Sequence, residues 1–192
     1  MTDATRSLSS FRRSRFRDAL AADAVIAYPT EGVYGLGCLA DSYDALLRIV
    51  ALKGRSAGKG LILLVADEAQ LDGWVDDDLR LPDRGSAKTP LTWIVPAGPR
   101  CDTLVTGGRR TVAVRVTHHP IARALCALNP EPLVSTSANI SGLPAITSPY
   151  VLRRTFRRKV DGFVPGPLGG AAGPSEIREL ATGRVLRAAL RK

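Results

Sequence analysis

Apolar and polar positions in this chain fall into short blocks that switch between two periods. Over residues 10–22 the spacing is helical. Phe11, Phe16, Ala19 and Leu20 share one side and arginines the other, which predicts a helix begun by Ser10 with that apolar side inward. Val25–Tyr28 is uninterrupted and reads as a buried strand. Asp41 or Ser42 caps a second helix whose apolar face is Ala45, Leu46, Ile49 and Val50, and Gly54 ends it. Strands are expected at Leu61–Val65, Leu91–Val95 and Thr111–Val116. Asp67 starts a short helix carrying Leu71 and Trp74. Pro120 opens another to Leu128, with Asn129 as its stop. Leu133 and Val134 lead a short strand into a polar stretch. Ser148-Pro149 begins a helix carrying Arg153, Arg154, Arg157, Arg158 and Lys159, and short strands follow near Glu176-Ile177 and Arg184–Leu186. Between these elements lie a predicted glycine loop at Pro29–Gly37, a mobile polar loop at Asp76–Lys88 and a Gly/Arg loop at Arg100–Arg110. Residues 1–9 are expected to be a disordered basic stretch ahead of one domain over residues 10–192.

Strands alternating with helices imply the α/β class. The chain has 192 residues, 45% of them hydrophobic, enough for one core, and shows no internal repeat. Its longest apolar run, Leu61–Ala66, is far too short to span a membrane. The net charge of +9 points to polyanionic partners such as nucleotides or nucleic acid. Cys38, Cys101 and Cys126 form no Cys-x-x-Cys pair, so reduced thiols and a cytoplasmic setting are expected. Residues 1–20 lack the apolar core of a signal peptide.

The polar stretch after Val134 brings Ser135, Thr136, Ser137, Asn139 and Ser141 to a strand end, where side chains alternate between faces. Gly142 and Pro144 then break the element. Lys53–Gly60 places three cations and three glycines between a helix and a strand, suited to phosphate. It is not a P-loop, because position 53 is Lys where that motif needs Gly, and position 60 is Gly where it needs a hydroxyl. Pro29–Gly37 carries no Gly-x-Gly-x-x-Gly. Arg115, flanked by valines, is either paired with a carboxylate or waiting for one, since a buried lone charge is costly. His118 and His119 read as turn residues, and no metal site is expected. No Ser-His-Asp or paired-carboxylate arrangement emerges. Hydroxyls, amides, glycines and cations suit nucleotide phosphates and a carboxylate, with catalysis by positioning and charge stabilisation.

Tyr28–Gly37, Lys53-Gly54-Arg55, Ala113–Val116 with His119-Pro120, Ser135–Asn139 with Ile140–Gly142, Gly173–Ile177 and Val185–Arg187 occur in one order. Together they resemble the threonylcarbamoyl-AMP synthase family (YrdC/Sua5 type) in its short bacterial form. The resemblance implies a twisted mixed sheet flanked by helices, with the site in a concave basic face. It implies that L-threonine, bicarbonate or CO2, and ATP as substrate, give threonylcarbamoyl-AMP and pyrophosphate. A separate transferase would then modify tRNA. Magnesium is expected with ATP. Carried over by motif, Arg55, Lys59, Thr111, Ser137, Asn139 and Arg187 would hold ATP, and Lys53 and Arg55 would serve catalysis. Thr30, Gly32, Arg115, Ser135 and Ser175 would hold threonine. Ser56, Lys88-Thr89 and Arg178 depart from the usual pattern. An RNA-binding module of the same fold, contacting tRNA or double-stranded RNA through the basic face, and a paralogue with another acyl or carbamoyl substrate, are the alternatives.

Overall fold

The apolar blocks pair edge to edge in one mixed sheet. The computed structural model describes residues 9–190, so the expectation for residues 1–8 lies outside the described residues. The strands are β1 (Ile26–Pro29), β2 (Tyr34–Leu39), β3 (Ile62–Val65), β4 (Leu91–Pro96), β5 (Thr111–Val116), β6 (Leu133–Ser137), β7 (Gly162–Phe163), β8 (Glu176–Glu179) and β9 (Val185–Arg187). Their order is β7-β1-β2-β6-β3-β5-β4-β8-β9. The pairs β1/β7, β3/β5 and β4/β8 are parallel and the rest antiparallel. Helices α1 (Ser10–Ala21), α2 (Tyr43–Lys53), α3 (Thr103–Thr106), α4 (Pro120–Cys126) and α5 (Pro149–Phe156) flank it.

Alternation along each strand sends one set of side chains to each face. Leu63, Val65, Trp93, Val95, Val112, Val114, Val116 and Val134 pack with Ala45, Leu46 and Ile49 of α2 and with Leu104 and Val105 of α3. On the other face, Tyr28, Leu64 and Leu133 pack with Phe16 and Leu20 of α1 and with Ile121 and Leu125 of α4. Leu152 and Phe156 of α5 close a third cluster around Ala27, Tyr34 and Leu36. The second face is only partly covered. Across its middle runs a row of paired residues, Gly37, Ser135, Ile62, Ala113 and Ile94, with small or polar members where helices would otherwise pack. That uncovered area becomes the floor of the site.

Several boundaries differ from the sequence expectations, each for a local reason. Half of the predicted Pro29–Gly37 loop is strand β2, because β1 and β6 supply ladder partners on both sides, leaving only a turn at Thr30–Val33. Ser42, not Asp41, caps α2 by accepting from the Ala45 N–H, and Gly54 ends the helix at φ 55°. Phe11 is 75% exposed and Val50 is only half-buried, so neither anchors its helix. The Arg100–Arg110 loop contains α3, whose first turn the Asp102 carboxylate caps at the Leu104 N–H. α4 stops at Cys126 rather than Leu128. α5 stops at Phe156, and Arg158 turns left-handed at φ 60°, so Arg157, Arg158 and Lys159 lie beyond the helix. Among the described residues no helix is long and apolar enough to cross a membrane.

Gly37 lies on β2 opposite Ser135. A Cβ there would meet the Val134 carbonyl and stand 2.9 Å from the Tyr28 hydroxyl. Neither neighbour can give way without breaking the ladder or unseating a buried ring. Gly37→Ala is therefore expected to lower stability by about 1–3 kcal/mol, read as a fall in the urea midpoint at unchanged slope.

Candidate functional site

Strand β5 fixes the axis of the site. Its alternate residues Thr111, Ala113 and Arg115 point away from the core and line a cavity of about 380 Å³. Ile62, Ser135 and Ser137 join from β3 and β6, Thr30 and Tyr34 from the β1–β2 turn, and Pro174 and Ser175 from the approach to β8. Arg55, Lys59 and Arg109 wall one end, and Arg115 and Arg187 the other. Among the described residues the lining thus carries five cations and no carboxylate, together with seven serine and threonine hydroxyls.

The two groups of cations are held differently. Arg55 donates to the Gly60 carbonyl at 2.6 Å and the Thr136 hydroxyl at 3.1 Å. Arg109 donates to the Gly58 carbonyl at 2.8 Å, and Lys59 reaches the Ser141 hydroxyl at 3.3 Å. Burial and then the nearby Arg109 charge push the Arg55 pKa down. At the other end Arg187 grips the Ser175 carbonyl at 3.0 and 2.7 Å, and the Ser175 hydroxyl lies 2.6 Å from that of Thr92. Burial and then Arg115 lower the Arg187 pKa. The site is therefore bipartite, with a cluster of cations on the Ala57–Gly60 turn and a pair of arginines around Ser175.

Arg115 is both paired and waiting. Its Nη2 lies 3.5 Å from Glu31 Oε2, with side-chain exposures of 7% and 1%. Yet Arg115 Nε and Glu31 Oε2 are buried without a hydrogen-bond partner. Glu31 Oε1 accepts from the Thr117 hydroxyl at 2.7 Å and from the His118 and His119 N–H groups at 3.0 and 3.3 Å. Burial pushes the Glu31 carboxyl up. The Arg115 charge, the Thr117 hydroxyl and the backbone N–H donors outweigh it and hold the pKa below 4.5.

Of the residues expected from the sequence, Thr30, Arg55, Lys59, Thr111, Arg115, Ser135, Ser137, Ser175 and Arg187 meet in this cavity. Three do not line it. Lys53, at the buried end of α2, turns under the exit of β6. Its ammonium donates to the Ser137 carbonyl, the Asn139 carbonyl at 2.9 Å and Asn139 Oδ1 at 3.1 Å. Three acceptors match its three donors. Burial, then repulsion from Arg55 and Lys59, pushes its pKa down to about 8. Asn139 spends its amide on Lys53, the Ser137 hydroxyl and the Ile140 and Leu143 carbonyls. Gly32 touches the Gly173 backbone, and any side chain there would displace the segment that delivers Ser175. These three shape the site from behind.

The sequence reading missed Glu31, Thr106 and Arg109. Arg109 stands in the Arg100–Arg110 stretch read as a Gly/Arg loop, two residues before the start of β5. His118 and His119 bond to the Arg84 and Pro167 carbonyls. Among the described residues no group of three or more His, Cys, Asp or Glu side chains could hold a metal ion.

A family model described as "Telomere recombination" (Sua5_yciO_yrdC) matches residues 18–189. The chain belongs to the Sua5/YciO/YrdC family. Among similar members, the threonylcarbamoyl-AMP synthase of Pseudomonas savastanoi pv. phaseolicola is 45% identical over 184 residues, 94% of this chain and 99% of that protein. That of Vibrio cholerae serotype O1 is 43% identical over 175 residues, 88% of this chain and 93% of that protein. The crystal structure of P. abyssi Sua5 complexed with L-threonine superposes with a TM-score of 0.80 at 32% identity, covering 92% of this chain. This family member spans about half of that longer protein, 54% of which is matched.

The Glu31 interaction has a definite pH signature. A carboxyl whose folded pKa lies below its unfolded one stabilises the fold fully above the unfolded value, 4.5, and loses that contribution as pH falls through the folded value. Glu31→Gln removes the charge and leaves Arg115 buried without it. A loss of about 3 kcal/mol is expected at neutral pH. In denaturant titrations the gap from wild type should shrink as pH drops below about 4.5.

Proposed function

We propose that this chain is a threonylcarbamoyl-AMP synthase. L-threonine and bicarbonate or CO2 give a threonine carbamate, which is adenylated by ATP with release of pyrophosphate. The observation that carries the reading is the cavity of five cations and no carboxylate, split between a three-cation end and a two-arginine end. The first suits a triphosphate, and Arg115 of the second an amino-acid carboxylate. The names of the full-length relatives and the threonine complex of P. abyssi Sua5 support it.

In this reading Arg115, tethered by Glu31, takes the threonine carboxylate on its guanidinium. Thr30, Ser135 and Ser175 surround the rest of the amino acid. Arg55 and Lys59 hold the phosphates, and Thr111, Ser137 and Arg187 complete the nucleotide contacts. A carbamate oxygen attacks the α-phosphorus. The new P–O bond forms as the bond from that phosphorus to the bridging oxygen breaks, and its electron pair leaves with pyrophosphate. The carbamate is itself the nucleophile, so the residues supply alignment and positive charge rather than a base. Lys53 and Asn139 act by holding the end of β6, and with it Ser137, in place.

The lining does not fit a resident magnesium ion, for it offers no carboxylate. Magnesium enters, in this reading, as part of the ATP substrate on phosphate oxygens. The product passes to a transferase that modifies tRNA. The RNA-module reading rests on the net charge of +9 and on five cations expected on one helix. With α5 ending at Phe156, three of them lie beyond it.

The test is threonine-dependent pyrophosphate release from ATP and bicarbonate. One charge-assisted hydrogen bond is worth about 1.5–3 kcal/mol, so losing it costs about tenfold to a hundredfold. Arg55→Ala should raise KM for ATP by that factor. Arg115→Ala should raise KM for threonine and leave KM for ATP nearly unchanged. A protein that binds ATP yet releases no pyrophosphate with threonine would reject the reading.

A further inference from the structure

Arg109 is seated more closely than an ordinary surface arginine. Its Nη1 donates to the Gly58 carbonyl at 2.8 Å. Its Nη2 occupies space that only glycines leave free: a Cβ on Gly60 would stand 2.7 Å from it, and one on Gly107 2.9 Å. Both glycines have positive φ, 60° and 66°, a backbone that residues with a Cβ rarely adopt. Among the described residues no carboxylate pairs with Arg109, Arg55 or Lys59, although seven ion pairs form elsewhere. Three cations on one turn with no counter-charge repel one another, and an anion of matching charge relieves that repulsion.

We infer that Arg109 anchors the two terminal phosphates of the nucleotide, and so the pyrophosphate leaving group, while making no contact with the α-phosphate or the nucleoside. This rests on the nucleotide reading and refines it. Two features assign Arg109 to that end. It donates to the Gly58 carbonyl of the Ala57–Lys59 turn that carries Lys59. It also lies two residues before Thr111, beyond the start of β5, whereas Arg115 lies near the end of that strand. A nucleotide laid along β5 with its α-phosphate toward the carbamate places its terminal phosphates on the Arg109 side. The guanidinium fork suits two oxygens of a pyrophosphate, whereas a lysine there would offer only a point charge.

The test compares inorganic pyrophosphate, AMP and ATP as ligands in calorimetric titrations of the full chain. Arg109→Ala should weaken pyrophosphate and ATP by about tenfold and change AMP by less than twofold. Arg109→Lys should fall between wild type and Arg109→Ala for pyrophosphate. Loss of AMP binding in parallel with pyrophosphate would mean that Arg109 merely shapes the turn, and would overturn the assignment. Unchanged pyrophosphate binding in Arg109→Ala would overturn it as well. Wild-type protein that binds neither ATP nor pyrophosphate would instead remove the nucleotide reading on which the assignment rests.

Discussion

Strand β6 is hydrogen-bonded on both edges, to β2 and to β3, and the rest of the site depends on that double ladder. Ser135, Thr136 and Ser137 are poor candidates for the centre of a sheet on propensity alone. They stay there because every neighbouring backbone group is satisfied and Leu133 and Val134 anchor the strand in two cores. A central polar strand leaves hydroxyls where a helix would otherwise pack. The glycines of β2 opposite it remove side chains that would fill the space. Concavity here results from omitted side chains and needs no separate lid.

The cations are then tied to this scaffold through backbone carbonyls. Arg55 holds the Gly60 carbonyl, Arg109 that of Gly58, Arg187 that of Ser175 and Lys53 that of Ser137. Carbonyls orient a positive group without neutralising it. Carboxylates in the same places would orient it as well but would compete with a phosphate or an amino acid. Glu31 is the exception. Its first oxygen is consumed by the turn that follows β5, and its second stands beside Arg115 without a hydrogen bond. Arg115 is thereby held in place without a hydrogen bond to that carboxylate, an arrangement suited to receiving a ligand carboxylate.

Much of the fold was legible because its signals are local. The Ser42 cap, Gly54 at the end of α2, Pro120 and Pro149 at helix starts, and the valine alternation of β5 each act within a few residues. The failures share the opposite character. β2 hides among glycines whose strand conformation is imposed by partners on both sides. Phe11 follows the helical period but is exposed, since among the described residues no other element covers that part of α1. α3 depends on a single Asp102 cap within a stretch whose composition reads as loop.

For the site, the covalent order of residues was enough to name Arg55, Lys59, Arg115 and the Ser135–Ser137 hydroxyls, with a strong positive balance and no candidate base, and the family resemblance added Ser175 and Arg187. Chemical type and spacing are written in the chain and need no partner to be read. Which of them share one cavity, and which stand behind it, was settled by the tertiary structure alone. Lys53 and Asn139 carry the same chemistry as their neighbours, yet they face each other because the end of α2 runs beneath β6. Glu31 and Arg115, far apart in sequence, form a buried pair because the turn after β1 folds against the Thr117–His119 segment that follows β5. Such pairings are decided by burial and geometry, where the cost of an unpaired charge depends on what surrounds it, and no local pattern encodes that.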